Sequence, residues 1–201
     1  MNELSSSEIE TLVRKYGSPQ HLEFSADFLD FECELVRRSV RGGRNHDITC
    51  FILHDGKYVV IQKHAYSGTG IFRAPSGGAH PGEPLELAAA REMMEETGLE
   101  IRLMRFVLDV SLTIRCHGEI IPWRSLVFLA ESVAGHLGAV DTEEICSVTT
   151  MSREEMLGDV DSMMDTSGWG GFKYRSFLTR AFFRRLDELG ELTRPHGSEK
   201  T

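Results

Sequence analysis

The chain has 201 residues, the size of one ordinary domain, with 41% hydrophobic and 26% charged residues, a balance that excludes a low-complexity or disordered composition. Asp and Glu outnumber Lys and Arg by 31 to 22, and the net charge of −9 argues against stable nucleic-acid binding, which needs a cationic surface. The N-terminus lacks the basic start and apolar run of a secretory signal, and no apolar stretch reaches the roughly 18 residues of a membrane span; the expectation is a soluble, cytoplasmic protein without a membrane partner.

Residues 5–16 open with serines and place Ile9, Leu12, Val13 and Tyr16 at helical spacing, which predicts a capped amphipathic helix ended by Gly17, Ser18 and Pro19. Residues 28–40 fit two periods: Leu29, Phe31, Cys33 and Leu35 alternate as in a strand, whereas Phe28, Phe31, Leu35 and Val36 fit a helix. The Asp and Glu content favours the helix, because both are poor strand formers. From His46 the chain turns to β character, and DITCFIL, an Asp55-Gly56 turn and KYVVIQK form the strongest hairpin signal. A Gly-rich loop over 67–82 leads to a helix over 84–97 that Gly98 stops. Strand-like runs follow at 101–112, 120–130 and 144–149, the first long enough to require a bend or bulge. A closing helix over 173–189 carries Phe177, Leu178, Ala181, Phe182 and Leu186 on one face.

This order predicts an α/β domain over 46–190, preceded by a helical extension over 1–45 that packs on it and followed by a flexible tail over 191–201. The extension has three possible uses: to cover a sheet edge, to build a homodimer, or to shape substrate access. Cys33, Cys50, Cys116 and Cys146 form no C-x-x-C pair, so no local zinc or redox motif arises and buried, reduced thiols are expected.

The informative stretch is GGAHPGEPLELAAAREMMEETGL, residues 77–99. On a helix, Glu92, Glu95 and Glu96 stand at i, i+3 and i+4 and project from one face. Leu87, Ala90 and Met94 are expected to anchor the opposite face in the core. Hard oxygen ligands on a rigid element suit Mg²⁺ or Mn²⁺, which would answer the mutual repulsion of the acids. Arg91 reaches Glu95 at i+4 or folds back to Glu83, an orienting ion pair in either case. Gly77 and Gly78 allow a ligand to approach the backbone closely.

The pattern G-x5-E-x7-R-E-U-x-E-E-x-G-U, with U a bulky apolar residue, resembles the Nudix box. Gly77, Glu83, Arg91, Glu92, Met93, Glu95, Glu96, Gly98 and Leu99 satisfy it at every fixed position. The resemblance implies a Nudix α/β/α sandwich with a mixed sheet. It further implies hydrolysis of a nucleoside diphosphate linked to another moiety, by water attack on phosphorus with Mg²⁺ or Mn²⁺ as cofactor. Carried onto this chain, Glu92, Glu95, Glu96 and the Ser76 carbonyl would be metal ligands, and Glu83 with Arg91 the orienting pair. The general base stays open between Glu95 and Glu96 in the box and Glu143 or Glu144 on a later loop, with Glu119 a weaker candidate.

The approach FRAPSGGAHPGE resembles that of ADP-ribose and nucleotide-sugar pyrophosphatases, with Ser76 in place of Ala. Lys63, Arg73, Arg115 and Arg124 flank the box and are candidates for phosphate, with Lys63 and Arg73 favoured beside Gly77 and Gly78. Tyr66, Phe72, Trp123 and Trp169 are candidates to stack on a base, and the loop DTSGWGGFKY makes Trp169 a candidate lid or, by a small margin the favoured reading, an aromatic plug packed on the sandwich. Two alternatives accompany the hydrolase: a regulatory Nudix module that binds a nucleotide without cleaving it, and an isomerase of the isopentenyl-diphosphate type using Cys116 and Glu119.

Overall fold

The computed structural model describes residues 4–190; the tail expected over 191–201 falls outside the described residues. Seven strands form one mixed sheet: β1 (Gln20–Asp27), β2 (His46–His54), β3 (Lys57–Lys63), β4 (Ser76–Gly77), β5 (Leu99–Cys116), β6 (Glu119–Gly135) and β7 (Ile145–Met151). Their order is β1-β5-β6-β2-β3-β7, with the short β4 on β2. The β1–β5 and β2–β6 pairs are parallel and the others antiparallel. The Asp55-Gly56 hairpin joins β2 to β3 as the sequence predicts, with Leu53 opposite Tyr58. The 18-residue β5 carries the expected irregularities, with register shifts at three places in its first half.

The centre of the sheet is buried on both faces, which is why DITCFIL is continuously apolar. Alternate residues of β2 and β6 serve two cores. Ile48, Cys50, Ile52, Leu126 and Phe128 face α3 (Leu85–Thr97) and α1 (Ser6–Tyr16). Phe51, Val127 and Leu129 face α6 (Gly170–Glu188), where Phe51 and Phe182 stack at 3.8 Å between ring centres. The result is the α/β/α sandwich. Two short helices the sequence reading omits, α4 (Arg153–Leu157) and α5 (Asp159–Thr166), connect β7 to α6.

Two features of the N-terminal segment depart from expectation. Residues 20–27 form a strand: Leu22, Phe24 and Ala26 alternate along β1, which pairs in parallel with β5 from Gln20 opposite Leu108 to Asp27 opposite Arg115. The expected reduced thiols are corrected as well, because Cys33 on α2 (Asp30–Arg41) is disulfide-bonded to Cys116 at the end of β5, 83 residues on. Cys50 and Cys146 are free, and burial pushes the Cys50 thiol up. The same first turn of α2 is also held by Glu32, whose carboxylate accepts from the Gly170 and Gly171 N–H groups at 3.1 and 2.9 Å, a favourable position for an acid at the start of α6. A third correction concerns α3, whose buried face is Leu85, Ala88, Ala89 and Met93, whereas Leu87 is 61% exposed.

A crosslink that closes so long a loop acts mainly by restricting the unfolded chain. Replacing Cys33 and Cys116 together by Ala is expected to lower stability by about 2–4 kcal/mol, read as a lower urea midpoint. Reductant should shift the native protein similarly and leave the double variant unmoved; an unchanged midpoint in the variant would contradict the crosslink's role.

Candidate active site

The site is built where α3 lies against β4. Gly77 leaves room there for the Glu92 carboxylate, which lies 2.0 Å from where a Cβ would stand. The backbone of this short strand then donates to two helix acids: Ser76 N–H to Glu96 Oε2 at 2.8 Å and Gly78 N–H to Glu92 Oε1 at 3.2 Å. This contact turns the acid side of α3 towards the sheet, so that Glu96 is only 3% exposed. Glu96 therefore lies within the buried helix face, and Leu87, on the opposite side of the helix, is left outside.

Arg91 realises both arrangements open to it in the sequence. Its Nε and Nη2 donate to Glu83 at 2.9 and 2.8 Å, Nη2 donates to the Gly78 carbonyl at 3.0 Å, and Nη1 reaches Glu92 at 3.0 Å and Glu95 at 3.1 Å. The hydrogen bonds from Arg91, aided by the His80 N–H, hold Glu83 down at about 2 against the opposing effect of burial. One guanidinium thus ties the loop before the helix to two carboxylates on it.

Lys63, at the end of β3, lies between the box and a distant loop, 2.9 Å from Glu96 and 2.5 Å from Glu144. The loop arrives there because it closes the C-terminus of α3. Gly138 N–H donates to the Thr97 carbonyl at 2.9 Å, and the Val140 and Asp141 N–H groups donate to the Glu95 carbonyl at 3.0 and 2.9 Å. Asp141 Oδ1 then accepts from the N–H groups of Glu143 and Glu144. Gly98, in the left-handed region, is required at this closure, since a Cβ would lie 2.4 Å from the Gly138 carbonyl oxygen. Glu119 is paired instead with Arg37 at the β5–β6 turn.

The donor chemistry fits a hard divalent cation: the carboxylates of Glu92, Glu95 and Glu96 with carbonyl oxygens on β4. The Lys63 ammonium already places one positive charge against this set, at Glu96. Among the described residues no three His, Cys, Asp or Glu side chains form a ready cation cage, because the acids turn to Arg91, Lys63 and backbone N–H groups.

Beside β4 opens a cleft of about 230 Å³ lined by Lys63, Arg73, Ser76 and Gly77, and also by Arg44, Asp47, Trp123 and Arg175. Arg73 is buried, donating to Tyr66 Oη at 3.1 Å and to the Ala74 carbonyl and Ser76 Oγ at 2.9 Å each. Asp47 accepts from Arg175 and from the Trp123 indole N–H, each at 3.0 Å, and from Ser125. Burial opposes the charge on Asp47, but Arg175 and these hydrogen bonds outweigh it and lower its pKa. Arg44, Asp47 and Arg175 are absent from the sequence reading. The signal for Asp47 is a lone carboxylate at the head of a strand otherwise fit for burial; Arg175 has none.

Other candidates lie elsewhere. Trp169 does not line the cleft: it stacks on Phe172 at 4.8 Å and meets Phe31 edge-on at 4.7 Å, the plug rather than the lid. Arg115 is paired with Asp27 and Arg124 with Asp109. Trp123 is the candidate aromatic that the fold brings to the cleft.

A model of the NUDIX domain family matches residues 44–167. Phosphatase NudJ of Escherichia coli K12 is 31% identical over 99 residues, covering 49% of this chain and 56% of NudJ, so the match spans about half the length of that relative. The solved structure of a NUDIX hydrolase from Nitrosomonas europaea superposes with a TM-score of 0.50 at 20% identity, covering 77% of this chain and 99% of that one. That likeness bears on the fold alone. With the family match running over more than half of its 201 residues, the chain belongs to the Nudix family.

Proposed function

We propose that the chain is a divalent-cation-dependent pyrophosphohydrolase for a nucleoside diphosphate linked to another moiety, with ADP-ribose and nucleotide sugars favoured. The observation that carries this reading is the shared wall at Ser76 and Gly77. Glu96 accepts from the Ser76 N–H and Glu92 packs on Gly77, and the same two backbone residues line a cleft whose charged side chains are Arg44, Lys63, Arg73, Arg175 and Asp47. In a chain of net charge −9, that local excess of cations suits a phosphate-bearing ligand. The approach FRAPSGG supports the ADP-ribose or nucleotide-sugar class, and the apolar remainder of the cleft, with Trp123, suits a base or other flat group.

Glu92, Glu95, Glu96 and the Ser76 carbonyl would hold Mg²⁺ or Mn²⁺. Bound there, the cations would neutralise the diphosphate and make its phosphorus more electrophilic. Arg91 and Glu83 keep the acids and the Gly77-Gly78 backbone in register, so the protein's contribution is largely positioning. Glu95 is the better base of the two box candidates, a role in which it would leave the cation to Glu92, Glu96 and the Ser76 carbonyl. Both Glu96 oxygens are engaged, by Ser76 N–H and Lys63, whereas Glu95 is 47% exposed and gives one oxygen to Arg91. In the reaction the water oxygen bonds to phosphorus, its proton passes to Glu95, and the anhydride P–O bond breaks towards the leaving phosphate. Glu144, tied to Lys63, is the second choice. An isomerase reading has no support here, because Cys116 is tied up in its disulfide with Cys33.

With Mg²⁺ or Mn²⁺ and a panel of ADP-ribose, nucleotide sugars, dinucleoside polyphosphates, NADH, coenzyme A and nucleoside triphosphates, the expected result is release of a nucleoside monophosphate. Glu95→Gln should lower kcat by at least about 100-fold with smaller change in KM, and chelation should abolish turnover. Binding of a nucleotide without hydrolysis of any panel member would instead support the regulatory module.

Because Glu83 is depressed to about 2, its pairing stabilises the fold above the ordinary carboxylate range and is lost as pH falls through about 4.5 to about 2. Acid titration of unfolding midpoints should show Glu83→Gln converging on the native protein over this window. A constant gap between the two would contradict the pairing.

A further inference from the structure

Three of the four cations lining the cleft are committed to partners. Lys63 lies between Glu96 and Glu144, and Arg175 pairs with Asp47. Buried Arg73 spends its guanidinium on Tyr66, Ala74 and Ser76. Arg44 differs. It is half-buried, its side chain gives one hydrogen bond, to Ser39 Oγ at 3.0 Å, and no carboxylate pairs with it among the described residues. A guanidinium has five N–H donors, so most of its capacity is unspent.

Its placement is specific. The guanidinium carbon lies 6.0 Å from the centre of the Trp123 ring, beside the apolar wall of Val36, Leu112 and Ile114. The other side of the chain rests on Gly78, where a Cβ would lie 2.3 Å from Arg44 Cδ and 2.4 Å from Nη1. The neighbouring Gly77 is the one that faces Glu92. Arg44 therefore stands between the apolar wall and the backbone that carries the box acids. Its own backbone is fixed too, with its N–H donating to the Ser39 carbonyl at 2.9 Å.

We propose that Arg44 is a specificity-determining residue that binds the phosphate joined to the organic group seated on the Trp123 wall, leaving the second phosphate towards Gly77 and the box carboxylates. The assignment rests on the diphosphate reading above. A guanidinium suits the task because it can meet two phosphate oxygens at once while lying flat against an aromatic ring.

The test titrates the native protein, Arg44→Gln and Arg44→Lys with ADP, AMP and adenosine, with Mg²⁺ and again with EDTA. Binding is read by calorimetry and by Trp123 fluorescence in a Trp169→Phe background. Arg44→Gln should weaken ADP and AMP by about 10- to 100-fold and leave adenosine unchanged, and Arg44→Lys should recover part of the loss. On a cleaved substrate KM should rise by a similar factor while kcat stays within about threefold. Undiminished ADP affinity in Arg44→Gln, an equal loss of adenosine affinity, or no ADP binding by the native protein under either condition would overturn the assignment. Arg44-dependent binding of ADP without hydrolysis of any substrate would defeat the hydrolase reading and uphold this one.

Discussion

The structure around the box is organised by one electrostatic constraint: several carboxylates must share a small volume without driving the helix off the sheet. Two cations answer it. Arg91 gathers Glu83, Glu92 and Glu95 together with the Gly78 carbonyl, and Lys63 joins Glu96 to Glu144. Backbone N–H groups of β4 supply the remaining compensation, which is effective because they are short-range, fixed donors in a partly buried site.

Much of the surrounding fold can be read as scaffolding for that cluster. The start of α3 is held by α1, whose Glu8 accepts from Leu85 N–H at 2.7 Å and whose Lys15 pairs with Glu86 at 2.7 Å. Its end is closed by the loop that delivers Glu144. On the opposite face, the buried Asp47–Arg175 pair links the head of β2 to the first turns of α6 and to Ser76 Oγ, so both helical layers meet at β4. A buried ion pair of this kind is weak support for stability; its consequence here is to fix which residues line the cleft.

The N-terminal segment contributes to the same region by a different route. β1 extends the sheet alongside β5, the disulfide fastens α2 to the end of that strand, and Glu32 fastens the start of α2 to α6. Val36 and Ser39 of α2, and Arg44 after it, then line the cleft. Outside the membrane question nothing is asked of a long apolar helix, and among the described residues none is long and apolar enough to cross a membrane.

The sequence by itself determined the features that depend on near neighbours in the chain. Box spacing, the Asp55-Gly56 hairpin, the Gly98 stop and the apolar face of α6 are local, because helix and turn geometry relate residues only a few positions apart. The helix over 28–40 and the irregular β5 belong to the same class. Tertiary structure alone decided the rest. From the chain alone Leu87 is an anchor because acids usually face water; it is exposed because Glu92 packs on Gly77 and Glu96 bonds to the Ser76 N–H, which turns their side of α3 to the sheet. Cys33 and Cys116 meet only through the parallel pairing of β1 with β5, and Arg44, Asp47 and Arg175 converge across some 130 residues of chain, Asp47 and Arg175 alone being 128 apart. Contacts of that range leave no periodic trace in a single sequence, since they are set by how two packed layers close on a shared sheet.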